Sequence, residues 1–323
     1  MLVGHRTLHE GDRLRTGVSA ILPHGGNLYA EKVHGACHVV NGYGKAAGLS
    51  QLEELGTIES PILLTSTLSV GPVWEGGLRH LLEQNPDAAR DRDTVNVIVG
   101  ECFDGWLSDA RSLPVRAEHA LEAIAAASAE EAAEGGVGAG TGTTCFGYKA
   151  GIGGASRQTD PYVLGCLVCS NYGSRRDLHL LAGPVEEAAG GGPEPPAQGG
   201  SIMIVLATDA PLGDRQLRRL AGRAVFGLGR AGSVASHASG EYVIAFSTSE
   251  RIPHRSESPE LSLTLLRDDS QEMRRLFEAA AEVVHEAVLN SLCSADATEG
   301  REGNRVEAFP YELLAAAPGV NLL

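Results

Sequence analysis

From Ser201 the chain reads Ser-Ile-Met-Ile-Val-Leu-Ala-Thr, an apolar run rich in Ile and Val with no polar residue between its two hydroxyl ends. A half-exposed strand alternates polar and apolar residues, so this one reads as a strand buried on both faces. The sheet that carries it must be covered above and below. Ser201 opens the strand and so stands at the sheet's rim, where rigid elements hold reactive groups. Just upstream, residues 183–200 hold six glycines and four prolines with almost no large apolar side chain, too little for the segment to order itself by burial. It reads as an exposed loop open to cleavage. Gly199 and Gly200 let the backbone take the strained conformation that brings a serine hydroxyl onto its own preceding carbonyl, the geometry of self-cleavage by N-to-O acyl shift. The product would be a chain beginning at Ser201, whose α-amine, with a reference pKa of about 7.7–8.0, suits a general base for the hydroxyl beside it. The competing reading is a Gly-Ser linker entering an ordinary core strand, and Gly-Gly-Ser is common in linkers.

The rest of the chain alternates short apolar runs with helical patterns. Strands are expected at 17–22, 35–40, 62–65, 95–99, 143–149, 162–170, 201–208, 242–247 and 261–265. Helices are expected over 115–133, over 213–229 with Leu217, Leu220, Ala221, Ala224 and Leu228 on one face, and over 270–292 with Met273, Leu276, Ala280, Val284 and Val288. Asp269 and Glu272 give the last helix a start resembling a capping box. Elements mixed in this way imply a layered α/β or α+β domain with helices covering a large sheet. At 323 residues and 43% apolar content the chain has material for one large domain or two ordinary ones. The strand after residue 200 is as buried in character as those before, so one fold with a cut loop is expected.

A net charge of −15 with no cluster of Lys or Arg argues against nucleic acid or an anionic membrane as partner. No run of 18 apolar residues and no apolar stretch behind a basic start occurs, which together with scattered cysteines leads us to expect a cytoplasmic protein. Cys166 and Cys169 form one CxxC inside an apolar run, without a second pair, and read as buried small side chains, not zinc ligands. The glycines from Gly135 to Gly142 follow a helical pattern and lead into a strand, the reverse of a phosphate loop, so they read as a helix stop and a close backbone approach. No Gly-x-Ser-x-Gly elbow is present, and His237 reads as a solvated loop residue.

The residues resemble the L-aminopeptidase/D-esterase and β-aminopeptidase family of self-processing, N-terminal-nucleophile-like serine hydrolases. The resemblance runs almost end to end, through VGHRTL from Val3, NGYGKAAGLSQLEELGT from Asn41, VGECFDGWLSD from Val99, GAGTGTTCFGYKAGIGGASR from Gly138, SNYGSRRDL from Ser170, GSIMIVLATDAPL from Gly200 and SGEYVIAFST from Ser239. It implies an α/β (α+β) fold of four layers, an αββα sandwich. It further implies cleavage into 1–200 and 201–323 with 183–200 as the cleavage loop, and hydrolysis of the N-terminal residue from small peptides, amides or esters. The implied assembly is a homo-oligomer, a tetramer of cleaved pairs, and no cofactor or metal is implied.

Carried over position by position, Ser201 resembles the nucleophile and new N-terminus, and Gly200 the residue whose carbonyl is cut. Ser239 and Glu241 match the serine and acid that orient the nucleophile and its amine, Asn171 matches the amide that stabilises the oxyanion, and Glu101 the carboxylate that holds the substrate's ammonium group. Phe103 stands where some relatives carry a tyrosine assisting the oxyanion, so a phenolic contribution is absent. Ser66 stands where an asparagine is expected. Phe103 and Trp106 suggest an apolar wall for the substrate's first side chain. An acyltransferase using the same acyl-enzyme and a non-catalytic binding homologue are the alternatives to an aminopeptidase.

Overall fold

The computed structural model describes residues 1–90, 93–180, 183–184, 195 and 200–315. The expected cleavage loop 183–200 therefore lies outside the described residues except at Gly183, Pro184, Pro195 and Gly200.

Two sheets face each other. The first is four-stranded: β1 (Leu2–Glu10), β2 (Leu14–Leu22), β4 (Ile62–Ser66) and β5 (Ile98–Cys102) lie in that order, antiparallel except for the parallel pair β4/β5. The second is seven-stranded and is built around β3 (Glu31–Gly42), β9 (Gly240–Ser247), β8 (Ser201–Thr208), β7 (Val163–Asn171) and β6 (Ile152–Gln158), adjacent in that order. Only β8 and β9 run parallel within that set, joined by a crossover through helices α4 (Asp214–Ala221) and α5 (Ala224–Ala231). Four more helices belong to the frame: α1 (Leu49–Leu55), α2 (Val70–Gln84) and α3 (Ala117–Ala125) before β8 and β9 in the chain, and α6 (Gln271–Cys293) after them.

Alternation along the strands sorts the apolar side chains into three cores. Val18, Ala20, Leu22 and Leu63 pack outward on Val73 and Leu81 of α2 and Ala120 and Ala123 of α3. Ile21, Ile62, Leu64 and Ile98 meet Leu167, Met203, Val205 and Ile244 between the sheets. Ile202, Ile204, Leu206 and Val243 face α4, α5 and α6. The order helix, sheet, sheet, helix is the expected four-layer αββα sandwich. Every residue of β8 is buried, as its unbroken apolar run requires. At about 1.5–3 kcal/mol for each large apolar side chain buried, this strand is a main anchor of both inner cores.

Some elements differ from expectation. The helix at 115–133 closes at Ala125, and the glycines that follow pack tightly: a side chain at Gly140 would strike the Gly151 backbone at 2.6 Å. The 213–229 pattern is two helices parted at Gly222 and Arg223. Residues 261–265 form no strand; Leu261, Leu263 and Leu265 are exposed there. The last helix is capped by Ser270, whose hydroxyl accepts from the Met273 N–H at 3.1 Å, in place of Asp269.

Candidate active site

Ser201 and Asn171 are partners across the β7/β8 ladder, at the end of both strands. Ser201 shares the face of Met203 and Val205, so its side chain points between the sheets. Its Oγ accepts the Phe103 backbone N–H at 3.2 Å and the Asn171 Nδ2 at 3.3 Å. Asn171 is held for this by Thr144, whose N–H donates to Oδ1 at 3.1 Å and leaves Nδ2 for the serine. Phe103 directly follows β5, so the opposing sheet supplies the second donor. Two fixed donors thus converge on the buried hydroxyl oxygen, hold it at the strand's end and favour negative charge on that oxygen.

A cavity of about 220 Å³ opens beside Ser201 and is lined among others by Tyr43, Lys45, Thr67, Glu101 and Phe103. Glu101 is 5% exposed; its Oε1 accepts the Lys45 N–H at 3.0 Å and its Oε2 accepts the Thr67 hydroxyl. These neutral donors fix the carboxylate but leave its charge uncompensated, and no described cation pairs with it.

Ser239 and Glu241 lie elsewhere. Glu241 is on the face of β9 that carries Val243 and Ala245, toward the helices and away from the Ser201 hydroxyl. It lines a second cavity of about 170 Å³ with Tyr172, Ser239 and Gly200. Glu241 is completely buried; neither of its oxygens, nor the Ser239 hydroxyl, has a hydrogen-bond partner among the described residues. Burial pushes the Glu241 carboxyl up from its ordinary value, with the nearby Ser239 hydroxyl acting against the shift. Gly200 lines both cavities, and its carbonyl accepts the Gly240 N–H at 2.9 Å. Of the eight residues expected at the site, all but Trp106 are thus divided by the sheet, with the Gly200–Ser201 bond at the division.

Glycine at position 200 answers a steric demand. Its φ lies outside the left-handed region, and a side chain would come within 2.7 Å of both Ser239 Oγ and Tyr172 Cβ. Trp106 is not among the residues lining either cavity; its carbonyl accepts the Asn304 side chain at 3.0 Å. Ser66, 2% exposed, donates to Asp104 Oδ1 at 2.7 Å, next in sequence to Phe103, and burial pushes the Asp104 carboxyl up to about 6. His237 is exposed at the rim, with its ring edge-on to Tyr43 at 6.0 Å, and no described histidine reaches the Ser201 hydroxyl. Cys166 and Cys169 face opposite sides of β7. Among the described residues no cluster of His, Cys, Asp or Glu suits a metal ion, and no helix is long and apolar enough to cross a membrane.

The model for peptidase family S58 matches residues 1–306. Over 94% of this chain and 80% of the relative, the sequence is 35% identical to the β-peptidyl aminopeptidase BapA of Sphingosinicella microcystinivorans. The crystal structure of the PH0078 protein from Pyrococcus horikoshii OT3 superposes with a TM-score of 0.90 at 45% identity, covering 97% of this chain and 90% of that one. The L-aminopeptidase D-Ala-esterase/amidase of Ochrobactrum anthropi, a variant of the Ntn-hydrolase fold, superposes with a TM-score of 0.90 at 33% identity, covering 98% and 90%.

Proposed function

Because this chain belongs to peptidase family S58 and is a serine aminopeptidase, we propose that Ser201 is its nucleophile and is set free by cleavage of the Gly200–Ser201 bond. The observation that carries this reading is the convergence of the Phe103 N–H and the Asn171 amide on a buried Ser201 Oγ at the first residue of β8. In the precursor, Ser201 Oγ attacks the Gly200 carbonyl carbon and its proton passes to the amide nitrogen. The C–N bond breaks, leaving an ester on Oγ and a free α-amine. Water then hydrolyses the ester to a Gly200 carboxylate and restores the hydroxyl. The Gly240 N–H on the Gly200 oxygen is the donor that supports negative charge during the first attack.

In the mature enzyme the α-amine of Ser201 takes the proton of its own hydroxyl as that oxygen attacks the substrate's first carbonyl. Asn171 Nδ2 and the Phe103 N–H receive the oxyanion, the leaving amine takes the proton, and water releases the first residue from the acyl-enzyme. Asn171→Ala should lower kcat by about 100- to 1,000-fold with little change in KM, since the amide acts on charge that develops only during attack. Single-turnover rates on cut protein check this; a loss confined to KM would remove Asn171 from that role.

Glu101 is proposed to hold the substrate's ammonium group, supported by a buried carboxylate with neutral donors and no counter-cation beside Ser201. Glu101→Gln should cut kcat/KM for free-amine peptides by at least about 10-fold, the scale of a charge-assisted hydrogen bond worth about 1.5–3 kcal/mol. Wild-type enzyme that cleaves an N-acetylated peptide as fast as the free one would defeat this assignment. Assembly as a tetramer of cleaved pairs is proposed from the family resemblance, and the exposed leucines at 261, 263 and 265 are apolar surface that such contacts would cover. A cytoplasmic location is proposed from six cysteines that are all unpaired.

A further inference from the structure

The chain has 26 basic residues but only three lysines, Lys32, Lys45 and Lys149. Lys32 is paired with Glu59, and Lys149 is 1% exposed with its ammonium on the Gly140 and Ala150 carbonyls. Lys45 is the only exposed one, and it stands on the cavity beside Ser201.

The segment that carries it, 41–45, is held at three points. The Lys45 N–H donates to Glu101, the Tyr242 hydroxyl donates to the Gly44 carbonyl at 3.0 Å, and the Asn41 side chain donates to the carbonyls of Ser236 at 2.8 Å, His237 at 3.2 Å and Ser239. The two loops that form the mouth are thereby clamped together. Among the described residues the Lys45 ammonium bonds the Tyr43 carbonyl, at 3.3 Å, and lies over the Tyr43 ring, 5.0 Å from its centroid; it pairs with no described carboxylate in a chain of net charge −15. An ammonium is a compact charge on a flexible stem, suited to meeting an anion whose position varies.

The cavity therefore carries on its lining both a buried anion, Glu101, and an exposed cation, Lys45, whose own N–H is tied to that anion. Two residues of extended peptide span about 7 Å, the scale on which a dipeptide held at Glu101 by its ammonium would present its carboxylate. We propose that this mouth selects substrates ending in a free carboxylate close behind the scissile bond, dipeptides above all, with Lys45 receiving that carboxylate. The inference deepens the assignment of Glu101 and rests on it: the acid reads the front of the zwitterion and the lysine reads its back. Esters and amides with a neutral far end are then turned over without this contact.

The test is a matched pair of substrates, one dipeptide and its C-terminal amide, assayed with cut wild-type, Lys45→Met and Lys45→Arg enzymes. The ratio of kcat/KM for the acid to that for the amide should fall by up to about 5-fold in Lys45→Met, through KM, and be retained in Lys45→Arg, as for one exposed ion pair. Salt at about 1 M, where the screening length is about 3 Å, should lower the wild-type ratio and leave that of Lys45→Met flat. A ratio that is the same in wild type and Lys45→Met overturns the proposal alone. Wild-type turnover indifferent to N-acetylation of the dipeptide overturns the Glu101 assignment and this proposal with it.

Discussion

Ser201→Ala is expected to give one uncut chain of 33.7 kDa where the wild type gives two fragments divided before residue 201, and to lower peptidase activity by about a million-fold. The size of the effect follows from two losses at one atom. Without Oγ nothing attacks Gly200, so the α-amine is never made, and nothing attacks the substrate. The fold should survive, because alanine is smaller than the 4%-exposed serine and the remainder of β8 is untouched. The cost is two donors, the Phe103 N–H and Asn171 Nδ2, left without their acceptor, about 1–3 kcal/mol for each that water cannot reach. Intact mass and circular dichroism check the two halves. A variant that is still cut at the same bond means that Ser201 does not cleave the chain.

The strands and helices at the centre were readable because their burial leaves a pattern. β8 matches its apolar run end to end, and α6 follows the spacing of Met273, Leu276, Ala280, Val284 and Val288. Elements at the periphery were harder. β1 is an edge strand of its sheet whose Arg6, His9 and Glu10 are exposed while only Val3, Gly4 and Leu8 are buried, so its apolar period is weak. The opposite error occurs at residues 261–265, where alternating leucines look like a half-buried strand but find no neighbouring strand to pair with. Composition along one segment cannot say whether a partner backbone is present.

The candidate site was readable in its side chains and not in its backbone. Ser201 stands out at the head of its apolar run, Asn171 and Glu101 only through the family resemblance, and the Phe103 N–H and Gly240 N–H carry no residue signature, since every residue except proline has one. At 103 the sequence drew attention to an aromatic ring lacking a hydroxyl, whereas the contact with Ser201 is made by the main chain. Nor does spacing disclose the sheet's two faces without a reference: Ser201 and Glu241 look like one constellation until the parallel register pairs Glu241 with Ile202, whose side chain faces the helices.

That register gives Glu241→Gln opposite effects before and after cleavage. In the uncut chain Glu241 is fully buried, with no partner on either oxygen among the described residues and its carboxyl pushed up by burial. A carboxyl whose folded value is raised contributes stability that is complete below the unfolded value, about 4.3, and is lost as pH climbs through the folded value. Glutamine carries no charge to bury, and an unmet amide costs less than an unmet carboxylate. In chains held uncut by Ser201→Ala, Glu241→Gln should therefore raise the melting temperature at pH 8 and lose that advantage near pH 4. The proposed cleavage would reverse the balance, because the new α-amine is the Ser201 nitrogen released from Gly200, a residue that borders the Glu241 cavity, and in its protonated form it would supply the missing opposite charge. In protein already cut, the same substitution should lower turnover by about 100- to 10,000-fold, the usual weight of one acid–base group. Differential scanning of the uncut pair and kinetics of the cut protein, verified by mass, measure the two arms. Equal melting at pH 8 would mean that the carboxyl is not a buried charge in the precursor, and near-normal turnover of the cut variant would free the Ser201 amine from any dependence on Glu241.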